Sequence, residues 1–204
     1  MKITRYFQSC LLVEEGNARL LIDPSAQEAQ RYDGFGKLNA VLYTYQHADH
    51  FDADLAQKFA GAGVPIYANA STAKFCKTPP LALEDGKESD IGGVKIKAIE
   101  LPHCPMTDGT AGPQNTGLLV NGKLFHPGDG RELDGLTVEV LALPITGPDI
   151  SLRDANDFAK QVKAKAVVPI HYDFIGTKPE VFGRLGSEKP FEVKILGLGE
   201  SAEF

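Results

Sequence analysis

All five histidines of this 204-residue chain lie just past a short apolar run, and no other feature limits the possible folds as much. His47 and His50 follow Ala40 to Tyr43, His103 follows Val94 to Leu101 across Pro102, His126 follows Lys123 to Phe125, and His171 follows Val167 to Ile170. Apolar runs of this length, bounded by glycine, proline and polar turn residues, read as buried strands. Strands that alternate with helices stack in layers, and such folds bind ligands outside the carboxyl ends of their strands. Imidazoles placed repeatedly at strand ends therefore point to one shared site.

The densest part of the pattern is Thr44-Tyr45-Gln46-His47-Ala48-Asp49-His50-Phe51-Asp52. It comes after the strand over 40–43 and precedes a helix over Ala53 to Ala62, with Asp52 or Asp54 at its start. Two imidazoles and several carboxylates thus crowd one strand-to-helix turn. A packed core has no use for them, whereas a divalent cation does: neutral imidazole and ionised carboxylate are the usual nitrogen and oxygen ligands of zinc and its neighbours.

Along the chain, Lys2 to Phe7, Cys10 to Glu14 and Arg19 to Ile22 read as three strands, ending at Asp23-Pro24. Residues 26–39 are polar, contain Gly34 and Gly36, and read as a loop. Val64 to Tyr67 is a strand after a Gly61-Ala62-Gly63 helix stop. A small helix over Ala70 to Phe75 is capped by Asn69 or Ser71 and broken by Thr78-Pro79-Pro80. Two hairpins come next: Glu88 to Ile91 with Val94 to Leu101 around Gly92-Gly93, then Thr116 to Val120 with Lys123 to Phe125 around Asn121-Gly122. Thr137 to Leu141 is a strand, Leu152 to Lys163 a helix capped by Ser151, and Val167 to Ile170 a buried strand. Pro179 to Phe204 holds a short helix and one or two strands. Strands, helix, strands, helix in two matching halves predict two sheets packed face to face with helices outside, as one domain over residues 1–204.

Composition excludes rather than identifies. A net charge of −6 argues against a nucleic-acid partner. No apolar run approaches the ~20 residues of a membrane span, and the charged, strand-like N-terminus is not a signal peptide. Cys10, Cys76 and Cys104 are odd in number and lack Cys-x-x-Cys spacing, which fits thiols in a reducing cytoplasm.

The ordered set of His47, Asp49 and His50, then His103, then Gly128-Asp129, then His171 resembles the metallo-β-lactamase fold superfamily. Within it the chain is similar to the branch of small metal-dependent hydrolases that includes the ascorbate-6-phosphate lactonase. Leu21-Ile22-Asp23-Pro24, Leu143-Pro144-Ile145-Thr146-Gly147 and Val168-Pro169-Ile170-His171-Tyr172 extend the likeness over residues 2 to about 175. The resemblance implies an α/β protein (α+β by some schemes), a four-layer αββα sandwich with a metal site at one edge between the sheets. It assigns Asp49, His50 and His171 to one cation, His47 and His103 to another, and Asp129 to a bridge between them. The family signature begins with one more histidine, where this chain has Tyr45, and a threonine usually stands where this chain has Gly130.

The function implied by this resemblance is that of a metal-dependent hydrolase. It would use zinc, one ion or two, with manganese or ferrous iron as substitutes, to activate water against a small ester, lactone, amide or phosphoester. Asp49 or Asp129 orients the water or takes its proton, and the metal, or a donor such as Tyr45, stabilises the developing oxyanion. Asp23 and His126 are expected behind the ligands, while the sequence leaves open whether Tyr172 and Asp173 face the substrate. Cys104 reads as a buried thiol rather than a ligand. The expected partner is a small molecule, with no nucleic acid and no membrane. The loss of a histidine at Tyr45 leaves a second reading, a non-catalytic metal-binding or sensing member. A third, iron-dependent redox chemistry, would need a flavin or thiol partner for which the chain shows no module.

Overall fold

The computed structural model describes residues 1–27, 32, 35–147, 150–174, 176–184 and 190–204. Part of the predicted 26–39 loop, residues 28–31 and 33–34 with Gly34, lies outside these, as do residues 185–189 of the C-terminal stretch.

The strands come in chain order: β1 Lys2–Arg5, β2 Leu11–Glu15, β3 Ala18–Ile22, β4 Ala40–Tyr43, β5 Ile66–Ala68 and β6 Leu81–Ala82 make up most of one sheet. β7 Glu88–Ile91, β8 Val94–Glu100, β9 Thr116–Val120, β10 Leu124–His126, β11 Val140–Pro144, β12 Ala166–Ile170 and β13 Glu192–Val193 make the other, in the order β13-β12-β11-β10-β9-β8-β7. The first sheet runs β14-β1-β2-β3-β4-β5-β6, because the last strand, β14 Ser201–Glu203, crosses back to pair with β1. The two halves expected from the sequence are therefore not independent: the C-terminus closes the edge of the N-terminal sheet.

Alternation along each strand explains the layers. Leu11 and Val13, Leu20 and Ile22, and Ala40 and Leu42 point inward, where they meet Val140, Ala142, Val168 and Ile170 of the other sheet. Their neighbours Leu12, Leu21, Val41 and Tyr43 point outward under helix α1 (Ala53–Gly61), which buries Leu55, Ala56 and Phe59 on them. Leu141, Leu143 and Val167 point outward under α3 (Leu152–Gln161), whose Ala155, Phe158 and Ala159 recur at helical spacing. Strands buried on both faces have no polar alternation, and for that reason they read as unbroken apolar runs. The result is the αββα sandwich.

Helix starts are set by side-chain chemistry. Asp52 caps α1, its carboxylate accepting from Leu55 N at 2.7 Å. Ser151 and Asp154 form a reciprocal capping box on α3. The short α2 (Ala70–Ala73) is capped by Asn69, and α4 spans Pro179–Arg184. The strand expected over 137–141 forms instead at Val140–Pro144, in parallel register with Ala166–Ile170. That pairing, not the local apolar run, sets its limits. Similarly, the strand expected over 64–67 is shifted to Ile66–Ala68 by pairing with Val41–Tyr43. Among the described residues no helix is long and apolar enough to cross a membrane.

Candidate metal centre

The sandwich brings six strand ends to one edge. Asp23 lies just past β3, and Tyr45, His47, Asp49 and His50 fill the turn between β4 and α1. His103 lies beyond β8, Asp129 beyond β10, Thr146 beyond β11 and His171 beyond β12. The first sheet thus supplies Asp23 and the Tyr45–His50 turn, and the second sheet supplies the rest.

Asp129 is the centre of the cluster and is 2% exposed. Its Oδ2 accepts from Tyr45 Oη at 2.8 Å and lies 3.4 Å from His171 Nε2 and 3.7 Å from His103 Nε2. Its Oδ1 lies 3.3 Å from His50 Nε2. The carboxylate is aimed by Asn115, whose Oδ1 accepts from Asp129 N at 3.1 Å and whose Nδ2 donates to Pro127 O at 2.9 Å. This explains Gly128: its φ is +60° and a Cβ there would meet Asn115 Oδ1 at 2.1 Å.

Three buried histidines present the same atom to the centre. His171 Nδ1 lies 2.6 Å from Thr146 O, and His103 Nδ1 lies 2.5 Å from Cys104 O. A carbonyl oxygen only accepts, so both Nδ1 atoms carry hydrogen and Nε2 faces inward. His50 Nδ1 lies 2.7 Å from Asp23 Oδ2, an oxygen that already accepts from Thr44 Oγ1 at 2.6 Å. Each ring is therefore held from behind, as metal-ligating histidines are. Asp49 joins from the side, its Oδ2 3.0 Å from His171 Nε2. Ligand atoms of Asp49, His50 and His171 lie within 4.8 Å of one another, and so do those of His103, Cys104 and Asp129.

The electrostatics call for positive charge at this point. Burial disfavours ionisation of Asp129, yet His171 and His50 outweigh it and hold the carboxyl far below its ordinary range. Asp49 behaves alike: against burial, its hydrogen bond to His171 and the charge of His50 bring its pKa to about 2. Burial opposes charge on His50 and His171, but the neighbouring aspartates lift both. Three inward nitrogens facing carboxylates need either protons or a cation between them. Two atoms are left over: His103 Nε2 and Asp129 Oδ1 are buried and, among the described residues, make no hydrogen bond. Imidazole and carboxylate donors at these separations fit a divalent ion.

Gln8 is a member of the cluster that no motif announces. It sits in the turn between β1 and β2 with φ +56° and is 1% exposed. Its Oε1 accepts from Asp173 N at 2.8 Å and Phe174 N at 3.1 Å, and its backbone O accepts from His171 N at 2.9 Å. Its Nε2 reaches Asp49 Oδ2 at 3.5 Å. One side chain from the first sheet thus braces the loop that carries His171, itself at φ +61°.

A family profile described as a β-lactamase superfamily domain matches residues 2–171. The chain belongs to that superfamily. It is 32% identical to a UPF0173 metal-dependent hydrolase of Pyrococcus horikoshii, over 91% of this chain and 92% of the relative. It is 29% identical to protein Rv0786c of Mycobacterium tuberculosis, over 96% of each. Among solved structures it resembles Igni18, a metallo hydrolase from Ignicoccus hospitalis, with a TM-score of 0.77 at 20% identity, covering 100% of this chain and 98% of the other. The metallo-β-lactamase fold protein YhfI of Bacillus subtilis gives a TM-score of 0.73 at 17% identity, covering 98% of each. At such identities the structures speak for the shared fold alone.

In this member of the superfamily the residues singled out from the sequence take different stations. Asp49, His50, His103, Asp129 and His171 converge. His47 stands at the rim, half-buried, its ring 5.2 Å from that of His103 and 4.8 Å from that of Tyr45. Tyr45 is fully buried, and burial with the charges of Asp129 and Asp49 lifts its phenol well above its usual pKa. It is a hydrogen-bond donor to Asp129. His126 touches none of these side chains by hydrogen bond: its Nε2 donates to Ser9 O at 2.8 Å and its Nδ1 accepts from Gly128 N at 3.2 Å. Cys104 is a buried thiol among apolar side chains, as expected, but its sulfur also belongs to the group with His103 and Asp129. Asp173 turns from the site to pair with buried Arg5, whose guanidinium lies 4.2 Å over the Tyr172 ring.

Proposed function

We propose that the protein is a metal-dependent hydrolase acting on a small ester, lactone, amide or phosphoester. The observation that carries the reading is the set of three inward Nε2 atoms around the Asp129 carboxylate, each ring fixed by an acceptor behind it. The names of relatives as metal-dependent hydrolases support the same class. Asp49, His50, His171 and Asp129 would hold one divalent ion, zinc being the natural choice for this donor set. His103 and His47, with Asp129 shared, would hold a second more weakly, because Tyr45 occupies the place of a third imidazole. Such an ion lowers the pKa of water from 15.7 to about 7 and polarises a carbonyl or phosphoryl oxygen.

The chain's own groups then do the positioning. Asp23 and Thr146 O fix the tautomers of His50 and His171. Tyr45 holds Asp129 in orientation through its hydroxyl. Asp49, ionised and on the rim side of the cluster, is placed to accept a hydrogen bond from an attacking water. Hydrolysis adds that water across the scissile bond, giving an acid and an alcohol from an ester, a hydroxy acid from a lactone, an acid and an amine from an amide, or a phosphate and an alcohol from a phosphoester.

The test is metal content and then turnover. Protein purified with zinc or manganese should carry at least one ion per chain and hydrolyse part of an ester, lactone, amide and phosphoester panel, with loss on chelation and recovery on reloading. Tyr45→His should raise the number of ions per chain. Protein that binds no ion, or binds it and turns over nothing, would be a scaffold or sensor and not an enzyme.

A further inference from the structure

Beside the cluster lies a cleft of about 740 Å³ that shares two walls with it. One wall is His103, whose side chain is 1% exposed and whose Nε2 faces Asp129 Oδ2 at 3.7 Å. The other is Asn115, which holds Asp129. The cleft surface near His103 is apolar, from Leu101 and Pro102, while Asp85 and Glu100 add carboxylates. Both acids are exposed, and each carboxylate accepts one hydrogen bond: Asp85 Oδ1 from Glu100 N at 2.8 Å, and Glu100 Oε2 from Gln114 Nε2 at 3.0 Å. Among the described residues neither pairs with a lysine or arginine, and none of the residues lining the cleft is a lysine or arginine.

A second hollow of about 380 Å³ shares Asp85 and Gln114 with the cleft. This is walled largely by alanine, proline and Leu83. Its own acid, Glu84, is neutralised by Lys87 at 2.5 Å. The charge of the two hollows is therefore concentrated in Asp85 and Glu100, next to the candidate metal centre.

We infer that this groove receives the non-reacting part of the substrate and selects a neutral or cationic group over a phosphate or carboxylate. The inference rests on the proposed hydrolysis for the reaction, but not for the charge preference. An anion lodged here finds no lysine or arginine among the lining side chains to replace its hydration and faces two like charges, and the chain's net charge of −6 acts in the same sense. A quaternary ammonium group instead meets apolar walls and two carboxylates. Gly112 keeps the groove's lip close to the imidazole: a Cβ there would meet His103 Nδ1 at 2.3 Å.

Two measurements on the metal-loaded protein test this. In the first, p-nitrophenyl esters of butyrate, hemisuccinate and 4-(trimethylammonio)butyrate present one leaving group with neutral, anionic and cationic acyl tails. The anionic ester should show a kcat/KM about tenfold or more below the other two, with the gap narrowing as salt is raised. Asp85→Asn with Glu100→Gln keeps the acceptor oxygens and should shrink that ratio severalfold. Equal rates for all three tails, or a ratio unmoved by the double variant, would overturn the inference.

The second measurement does not depend on turnover. Phenyltrimethylammonium should shift the backbone amide resonances of Gly112 and Gln114, and benzenesulfonate, a poor metal ligand, should not. Shifts from benzenesulfonate at the same concentration, or from neither probe, would refute the charge preference. Cation-selective shifts without turnover of any ester, lactone, amide or phosphoester would leave the groove's selectivity standing and remove the hydrolase reading instead.

Discussion

Gln8 shows how a residue with no signature can control those that have one. Its amide carbonyl satisfies two consecutive N–H groups of the loop after β12, and its amide nitrogen leans on Asp49. Both contacts place groups that surround the candidate ion, and removing such supports commonly weakens metal binding ten- to a hundredfold. Alanine keeps the Cβ that glutamine already carries on this left-handed backbone and removes only the amide, so it isolates these contacts. Gln8→Ala should therefore weaken zinc affinity by about tenfold or more in a competition titration with a chromogenic chelator. Unchanged affinity with a lowered melting temperature would show that the amide braces the loop and nothing else.

At the scale of elements, the two sheets are joined by more than apolar packing. Glu15, at the end of β2, takes Lys123 Nζ at 2.9 Å and Asn121 Nδ2 at 3.0 Å from the β9–β10 turn, and lies 3.2 Å from the N-terminal ammonium. The Lys123 hydrogen bond, opposed by partial burial and assisted by Asn121 and the N-terminus, lowers the Glu15 pKa from 4.5 to about 2. A depressed carboxyl stabilises the fold above its unfolded pKa and loses that contribution as pH falls. The difference in stability between the natural protein and Glu15→Gln should thus be full at neutral pH, shrink below pH 4.5 and vanish near pH 2. Being partly exposed, the clasp should contribute no more than about 1 kcal/mol, read from urea unfolding at a series of pH values. This clasp was not legible in the sequence, although the β9–β10 hairpin was, since Asn121-Gly122 demands the left-handed pair found at φ +52° and +67°. Histidines at strand ends, caps at Asp52 and Ser151, and doubly buried strands all declare themselves locally. The limits of β11, the short β6 and the return of β14 to β1 do not, because partners far along the chain decide them. Asn115 and Gln8 were invisible for the same reason: each is an amide in a turn until the other sheet arrives.

For the whole molecule, the candidate centre is also a seam. Asp49 and His50 come from the first sheet, and Asp129, His103 and His171 from the second, so an ion bound among them would cross-link the two layers at their open edge. The ligand set exists only when both sheets are folded and packed, and an ion that binds the folded state alone stabilises it by mass action, about 2.7 kcal/mol at a hundred times its Kd. Chelation should therefore lower Tm by several degrees, and restoring free zinc should raise it again in proportion to the logarithm of its concentration. The increment should be lost in Asp129→Asn, which keeps an acceptor for Tyr45 but halves the carboxylate's capacity as a ligand. It should persist in Glu15→Gln, whose clasp lies away from the cluster and ties the sheets by a different contact. If Asp129→Asn kept the full zinc-dependent rise in Tm, the cation would be binding elsewhere, and the convergence of buried nitrogens on that carboxylate would need protons rather than a metal to explain it.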